Sequence, residues 1–247
     1  MAQFSFGSGQ VFGVRTDIAN QSPVALGVLQ DIQVDFQGDL KELYGFNQFP
    51  VAVARGKTKI TGKAKFARMN GALFNSLYFG QTLSTGQTLT SLSEPGTVPA
   101  VTTFTVTAAN EADFIADLGV VYAVTGLPLA RVTGAPTAAG QYSVTNGGVY
   151  TFDTADASAA VLLNYTYSSA TSGTLIAIEN LPMGTVPNWA ATFTSTFNGK
   201  AITLGLNACV SNKLALPTKQ DDWTIAELDF MALANAAGSV GYLSLAE

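Results

Sequence analysis

Two stretches of opposite charge most constrain how this chain can fold. In each stretch, charged or amide residues alternate with apolar or small ones. In residues 31–37 acids and amides alternate with large apolar residues, and in residues 57–66 lysines alternate with apolar and small residues. Successive side chains of a β-strand point to opposite faces, so each stretch predicts a strand with one charged and one apolar face. The simplest explanation of the charges is a set of cross-strand Asp–Lys pairs on a solvated sheet.

The segment between these two strands is unusually aromatic for a connection. It carries Tyr44, Phe46 and Phe49 beside glycine and asparagine, whereas soluble monomers normally place aromatic side chains in strands and helices. Two interpretations stay open at this point. Either the segment folds back onto its own core, or another subunit covers it.

The remaining sequence predicts antiparallel β-structure with one short helix. The helix is expected between Asn70 as its N-cap and Gly80 just past its end. The Asn-Gly dipeptides at 146–147 and 198–199 each separate two alternating stretches and favour type I′ hairpin turns. A last strand is expected over 223–232. Strands follow strands without helices between them, which excludes a βαβ architecture.

Composition divides the chain into three sections. Residues 82–172 hold one basic residue, Arg131, against six acids, and are rich in threonine, alanine and valine. We expect 82–172 to be an inserted or outward-facing β-section. Residues 1–81 are then an N-terminal arm with the first half of the main β-domain and the helix, and 173–247 are its second half.

The composition also excludes whole classes of chemistry. The chain has no histidine and one cysteine, so Ser-His and Cys-His catalysis, histidine metal ligation and an intramolecular disulfide are excluded. A net charge of −5 argues against a general nucleic-acid-binding protein. Neither a long apolar run nor a signal peptide is visible, so we expect a soluble chain made in the cytoplasm. Charged residues are only 12%, as in chains whose surface is covered by other subunits.

Two segments resemble catalytic motifs but lack an essential part. Residues 56–64 mimic a phosphate-binding loop, yet the glycines are one residue too far apart and Ala64 replaces the magnesium-binding hydroxyl. Residues 237–241 mimic a nucleophile elbow, yet no histidine exists to activate Ser239. A small-residue turn is the better interpretation there. We expect no enzymatic activity, no catalytic residue, no cofactor and no metal site.

Several stretches, taken in order, resemble the major tail (tail tube) proteins of tailed bacteriophages. They are DIQVDF at 31–36 leading to KELYG at 41–45, QFPVAVARG at 48–56 with KITGKAK at 59–65, FNSLYFG at 74–80, and KQDDWTI at 219–225 leading to Phe230 and Gly238. The resemblance covers most of 28–80 and 172–247, and 82–172 match it less well. It implies a mainly β fold, an antiparallel β-sandwich or barrel of tail-tube type with one short flanking α-helix.

In function, the resemblance implies a structural virion protein. The resemblance implies hexameric rings that stack into a hollow tube conducting DNA from capsid to host. Expected partners are further copies of the chain, the tape-measure protein, the tail terminator and baseplate or tip proteins. Linear double-stranded DNA would pass through the lumen without specific binding, and the chain would not insert into a membrane. The expected location is the phage tail, after synthesis and assembly in the host bacterial cytoplasm.

The resemblance also implies which residues make contacts. The segment 41–53 occupies the place of a loop that reaches the neighbouring ring. Candidate contacts between rings or subunits are Leu43, Tyr44, Phe46, Phe49, Pro50, Lys59, Lys63 and Lys65. Candidate lumen-facing acids are Asp31, Asp35, Glu227 and Asp229. An acidic lumen would repel phosphate, so that DNA slides without sticking.

Two alternatives remain from the sequence. One is another phage structural protein, a capsid decoration or baseplate-type protein. The other is a carbohydrate-binding β-sandwich, whose stacking platforms would be Trp189, Trp223, Tyr142, Tyr150, Tyr165 and Tyr167. Burial in the core is the simpler explanation of most of these aromatics.

Overall fold

The computed structural model describes residue 7 and residues 9–68, 70–218 and 220–246. The protein is mainly β, with antiparallel sheets and one short helix. Positions 1–6 and 8 of the predicted N-terminal arm lie outside the described residues, as does Lys219 of the stretch that carries the resemblance. Among the residues described, no helix combines the length and apolar character needed to cross a membrane.

The strands fall into two compact units, one reaching to Leu83 and resuming at Ile176, the other spanning Ser84–Leu175. In chain order the strands are β1 (Gln10–Arg15), β2 (Val24–Ala25), β3 (Leu29–Tyr44), β4 (Pro50–Phe66), β5 (Leu83–Thr97), β6 (Thr105–Thr107), β7 (Phe114–Tyr122), β8 (Ala130–Arg131), β9 (Gln141–Val144), β10 (Val149–Phe152), β11 (Ala160–Ile176), β12 (Trp189–Phe197), β13 (Lys200–Ala215), β14 (Ala226–Ala232) and β15 (Gly241–Leu245).

The first unit is built on one eight-stranded sheet in the order β2-β1-β12-β13-β14-β4-β3, with β15 paired to β13. The sheet curls, so that Val11 from one end and Leu29 from the other belong to the same core cluster. Trp189 and Phe230 pack edge to face in this core, with ring centroids 5.3 Å apart. The Trp189 indole N–H donates to Ser211 Oγ at 3.1 Å, which satisfies the only polar group of the buried ring.

Gly62 makes room for the Phe230 ring. The two residues are direct partners across β4 and β14, and a Cβ on Gly62 would lie 2.1 Å from the ring. No side chain fits at that distance. Glycine is therefore retained in mid-strand although it weakens strands elsewhere.

The predicted helix is present with both predicted caps. Asn70 Oδ1 accepts hydrogen bonds from the Ala72 and Leu73 N–H groups. Helix α1 (Gly71–Phe74) passes directly into one π-helical turn (Asn75–Phe79), and Gly80 ends it at φ 66°. Leu73, Phe74 and Leu77 belong to the core cluster, so the helix covers part of the inner face of the sheet.

The second unit holds a three-stranded sheet, β5-β11-β7, and a four-stranded sheet, β6-β10-β9-β8, in which β8 and β9 are parallel. Its core contains the buried tyrosines Tyr142, Tyr150 and Tyr165. Their hydroxyls donate to carboxylates: Tyr142 and Tyr150 to Asp117, and Tyr165 to Glu94. Each buried phenol thus has a hydrogen-bond acceptor.

The hydroxyls of Tyr122, Tyr142 and Tyr150 lead us to expect that alkali destabilises the second unit. Burial first, then the hydrogen bond to Asp156, raise the pKa of Tyr122 to about 12, and burial raises the pKa of Tyr142 and Tyr150. An unfolded tyrosine ionises near a pKa of about 10, so the folded unit holds these protons more tightly. The free energy of unfolding is therefore unchanged by these groups below pH of about 10 and falls as pH rises toward about 12.

We expect tyrosinate absorbance and far-ultraviolet circular dichroism to change together in an alkaline titration. Tyr122→Phe should give a flatter pH dependence of the unfolding free energy, because one linked proton is removed. Ionisation of all tyrosines near their ordinary pKa with the dichroism unchanged would contradict this prediction.

Both predicted hairpins form, although one turn differs from the expected type. At Asn198 and Gly199 both φ angles are positive, 50° and 76°, as a type I′ turn requires. Between β9 and β10 the positive φ falls on Gly148 instead, whose N–H donates to Thr145 O at 3.1 Å. That geometry is a type I turn followed by a glycine bulge. Asn146, Gly147 and Gly148 can all adopt a positive φ, so the sequence alone does not distinguish this turn from a type I′ turn.

The structure corrects the bounds of one predicted strand, since the last predicted strand begins at Ala226 rather than at position 223. β15 was not predicted at all. Residues 237–241 do begin with a turn, in which Asn235 Oδ1 accepts hydrogen bonds from the Ala237 and Ser239 N–H groups.

Candidate self-assembly surface

Residues 38–58, the outer parts of β3 and β4 with the turn between them, form a two-stranded arm that pairs with no other strand of the described sheet. The neighbouring strand β14 ends opposite Ile60, so in the described structure the β4 half of the arm is paired only with the β3 half. Every residue from 38 to 58 is exposed except Pro50, which is half-buried. The arm is therefore held by its two-stranded ladder alone, and a two-stranded hairpin is marginally stable in water.

The arm exposes a dense set of large apolar side chains. They are Leu40, Leu43, Tyr44, Phe46, Phe49, Val51 and Val53. Phe46 is fully exposed and Phe49 is 80% exposed. The open possibility that this segment folds back onto its own core is therefore wrong. Large apolar side chains concentrated in solvent on one segment are typical of a protein-interaction site.

The predicted contact residues fall into two groups. Leu43, Tyr44, Phe46, Phe49 and Pro50 lie on the outer part of the arm. Lys59 lies at the base of the arm, whereas Lys63 and Lys65 lie within the body of the sheet, between β14 and β3. The structure thus brings the first five residues together and separates them from two of the three lysines.

A charged face runs across four adjacent strands of the first unit. We define it by the residues Lys213 on β13, Glu227 and Asp229 on β14, Lys59, Lys63 and Lys65 on β4, and Asp31 and Asp35 on β3. Direct partners across antiparallel strands share a face, and the register pairs Glu227 with Lys65, Asp229 with Lys63 and Lys213, and Asp31 with Lys65. The sign of charge alternates from strand to strand.

Ion pairs connect these strands within one chain. Lys63 pairs with Glu227, and Lys65 Nζ lies 3.7 Å from Asp31 Oδ2. Lys213 Nζ lies 3.7 Å from Glu227 Oε2 and 3.8 Å from Asp229 Oδ2. The lysine side chains of these pairs are 42–51% exposed, and ion pairs open to solvent contribute about 0.2–1 kcal/mol each. The pairs therefore fix strand register more than they add stability.

This arrangement changes the role assigned to the charges. The lysines and the candidate lumen acids were expected to serve on separate surfaces, but they share one face, so they cannot point in two directions. Lys59 and Asp35 have no ion pair within the part of the chain that the structure describes. Those two residues keep their charges available, whereas Lys63 and Lys65 already have partners. A role for any of them between subunits stays a prediction.

The platforms of the carbohydrate-binding alternative are mostly inaccessible. Trp189, Tyr142, Tyr150 and Tyr165 are at most 2% exposed, so none of them can stack on a sugar. Trp223 is 85% exposed, but a single exposed indole in a linker does not form a binding groove. The expectation that core packing explains most of these aromatics is confirmed for these four.

Sequence reasoning missed two parts of this surface. Lys213 was not singled out, and alternation within β13 could have assigned it a face but not its neighbours on β14. The edge strand β15 gives almost no signal, because its five residues, GYLSL, follow a turn of small residues. The described residues contain no cluster of three or more acidic or cysteine side chains that could hold a metal ion.

No protein-family model and no curated protein matches the chain.

Proposed function

We propose that this chain is a structural virion protein that polymerises through the arm into stacked hexameric rings, forming the hollow tail tube of a tailed bacteriophage. The observation that carries the proposal is the arm, with seven large apolar side chains in solvent on a hairpin that its own chain does not cover. Burial against another copy removes this surface from water and stabilises the hairpin at the same time. The tube, rather than another assembly, is supported by the sequence resemblance in the same segment.

In this proposal the charged face lines the lumen, and Lys59, at the end of that face next to the arm, also contacts the neighbouring copy. Its four lysines alternate with its four acids, so it presents no large patch of one sign to a phosphate backbone. Non-specific DNA affinity comes mainly from clustered lysine and arginine that release counterions. A face of balanced charge on a chain of net charge −5 therefore lets DNA pass without specific binding. The tape-measure protein, tail terminator and baseplate proteins are the expected further partners.

Negative-stain electron microscopy of the purified chain, dilute and then concentrated, tests the proposal. We expect hollow rings or tubes of uniform bore that become longer as concentration rises. Trimers that bind to capsids would favour the decoration-protein alternative. A chain that stays monomeric at every concentration and is also absent from purified phage tails would overturn the proposal.

The two kinds of lysine should respond differently to charge reversal. Lys59→Glu is expected to raise the concentration needed for polymerisation at low salt, because Lys59 has no ion pair in its own chain, and high salt should reduce the difference. Lys63→Glu places a second carboxylate beside Glu227, so we expect a loss of about 1 kcal/mol in the free energy of unfolding with polymerisation largely retained.

Light scattering at two salt concentrations, with denaturant unfolding of the monomer, measures both effects. Arg68→Glu, on an exposed position outside the arm and the charged face, controls for the change in net charge. Stronger inhibition of polymerisation by Lys63→Glu than by Lys59→Glu would contradict the assignment.

A further inference from the structure

On one side of β13, the sheet of the first unit consists of two successive strands, β14 and β15. β14 and β15 both pair antiparallel with the same side of β13, β14 opposite 209–215 and β15 opposite 202–206, because β12 occupies the other side. β14 is flanked on its far side by β4 as far as Ile60. β15 continues in the same direction, yet no strand flanks its far side within the residues described.

The free edge of β15 has backbone groups ready for pairing. Asn207 N–H donates to Val240 O, and Ala246 N–H donates to Ala201 O. Since the inward and outward orientations alternate along an antiparallel strand, Tyr242 and Ser244 direct their backbone groups to β13. Gly241, Leu243 and Leu245 then direct theirs to the unpaired side. An edge of this kind is a template for a further strand.

A slot lies beside this free edge. Its volume is about 140 Å³, and its lining contains no charged side chain: Phe36, Ile60, Leu204, Leu206, Val240, Gly241, Tyr242 and Leu243. Phe36 and Leu243 remain more than half exposed there. Apolar walls next to unpaired backbone groups suit an uncharged strand, because a charged strand would lose hydration on entering.

We propose that this slot receives residues 50–54 of the arm of a second copy, added as a strand to the free edge of β15. This inference rests on the proposed function and names the surface that receives the arm. Residues 50–54 read PVAVA and carry no charge, and they match the five residues of β15 in length. The other half of the arm carries Asp39, Lys41 and Glu42.

In the single chain the arm leaves the slot open. Pairing of β4 with the body of the sheet ends at Ile60, and residues 50–55 of β4 pair with β3 alone. The edge of β15 is therefore not occupied by the chain's own arm, and a second copy can bring residues 50–54 to it.

A mixture of two variant chains, each with one introduced cysteine, tests the pairing directly. One chain carries Ser244→Cys, and the other carries Ala52→Cys, Val53→Cys or Ala54→Cys, so that one donor suits either register. A disulfide between the two chains is necessarily intermolecular, and it requires Cα atoms about 4.4–6.8 Å apart. The native Cys209 is fully buried and burial raises its pKa to about 12, so it stays unreactive. Thr196→Cys, on an exposed position of β12, is the control acceptor.

We expect at least tenfold more intermolecular disulfide with Ser244→Cys than with Thr196→Cys in assembled material, and none in dilute monomer. Assembly with equal or no cross-linking at Ser244 would overturn this inference and leave the proposed function standing. If the unmodified chain forms no assembly under any condition, the proposed function fails and this inference fails with it. Circular dichroism of each variant confirms that it is folded.

Discussion

Replacing Phe46 and Phe49 together by aspartate is expected to abolish polymerisation without destabilising the monomer. Both rings are exposed in the single chain, so the free energy of unfolding should change by no more than about 0.5 kcal/mol. Burying a phenylalanine side chain is worth about 1.5–3 kcal/mol. Losing two such burials at each contact raises the concentration needed for assembly on the order of a hundredfold or more.

Sedimentation velocity and electron microscopy measure this effect across a concentration series. The matched control is the double change Val124→Asp and Leu127→Asp, which alters two similarly exposed apolar residues of the second unit. Tubes formed by the Phe46 and Phe49 variant at the normal concentration would show that the tip of the arm is not a contact. Equal loss in the control would show that the second unit also contributes.

Phe230→Ala is expected to have the largest effect on the stability of the first unit. The ring is 1% exposed, packs against Trp189 and Phe193, and fills the space left by Gly62. Its removal leaves a cavity that neighbouring strands cannot close, and truncations of this kind cost about 3–5 kcal/mol. The expected result is a corresponding fall in the free energy of unfolding.

Tryptophan fluorescence during denaturant unfolding isolates this effect. Both tryptophans of the chain, Trp189 and Trp223, belong to the first unit, so the signal does not report on the second. Phe36→Ala removes an exposed ring and should cost less than about 1 kcal/mol. Similar losses in both variants would mean that Phe230 is not part of a tightly packed core.

The sequence predicted those features that depend on local chemistry. Alternation of side chains placed the charged strands, and the Asn70 and Gly80 caps set the limits of the helix, because a cap is decided by a few neighbouring atoms. The hairpin at 198–199 followed from the positive φ that Asn-Gly tolerates. In each case the deciding interaction spans only a few residues.

The features that were missed depend on partners far away in the sequence. Alternation shows which residues of a strand share a face, but not which strands are neighbours. Lys63 and Glu227 are far apart in the sequence, and only the order β14-β4-β3 puts lysines and acids on one face. β15 is a strand only because β13 offers a partner for it. In the proposed function another molecule covers the arm, so this role likewise could not be read from one chain.

The two ends of the second unit lie next to each other, and this has a consequence for how the protein can evolve. β5 and β11, the strands at its two ends, are neighbours in one sheet, and Ser84 Oγ donates to Leu175 O at 3.4 Å. The ends of the segment are thus joined to each other by pairing, and domains with adjacent ends can be exchanged with little disturbance to the host fold. Residues 84–175 therefore form a unit that can be replaced as a whole, either in evolution or by an engineered foreign domain.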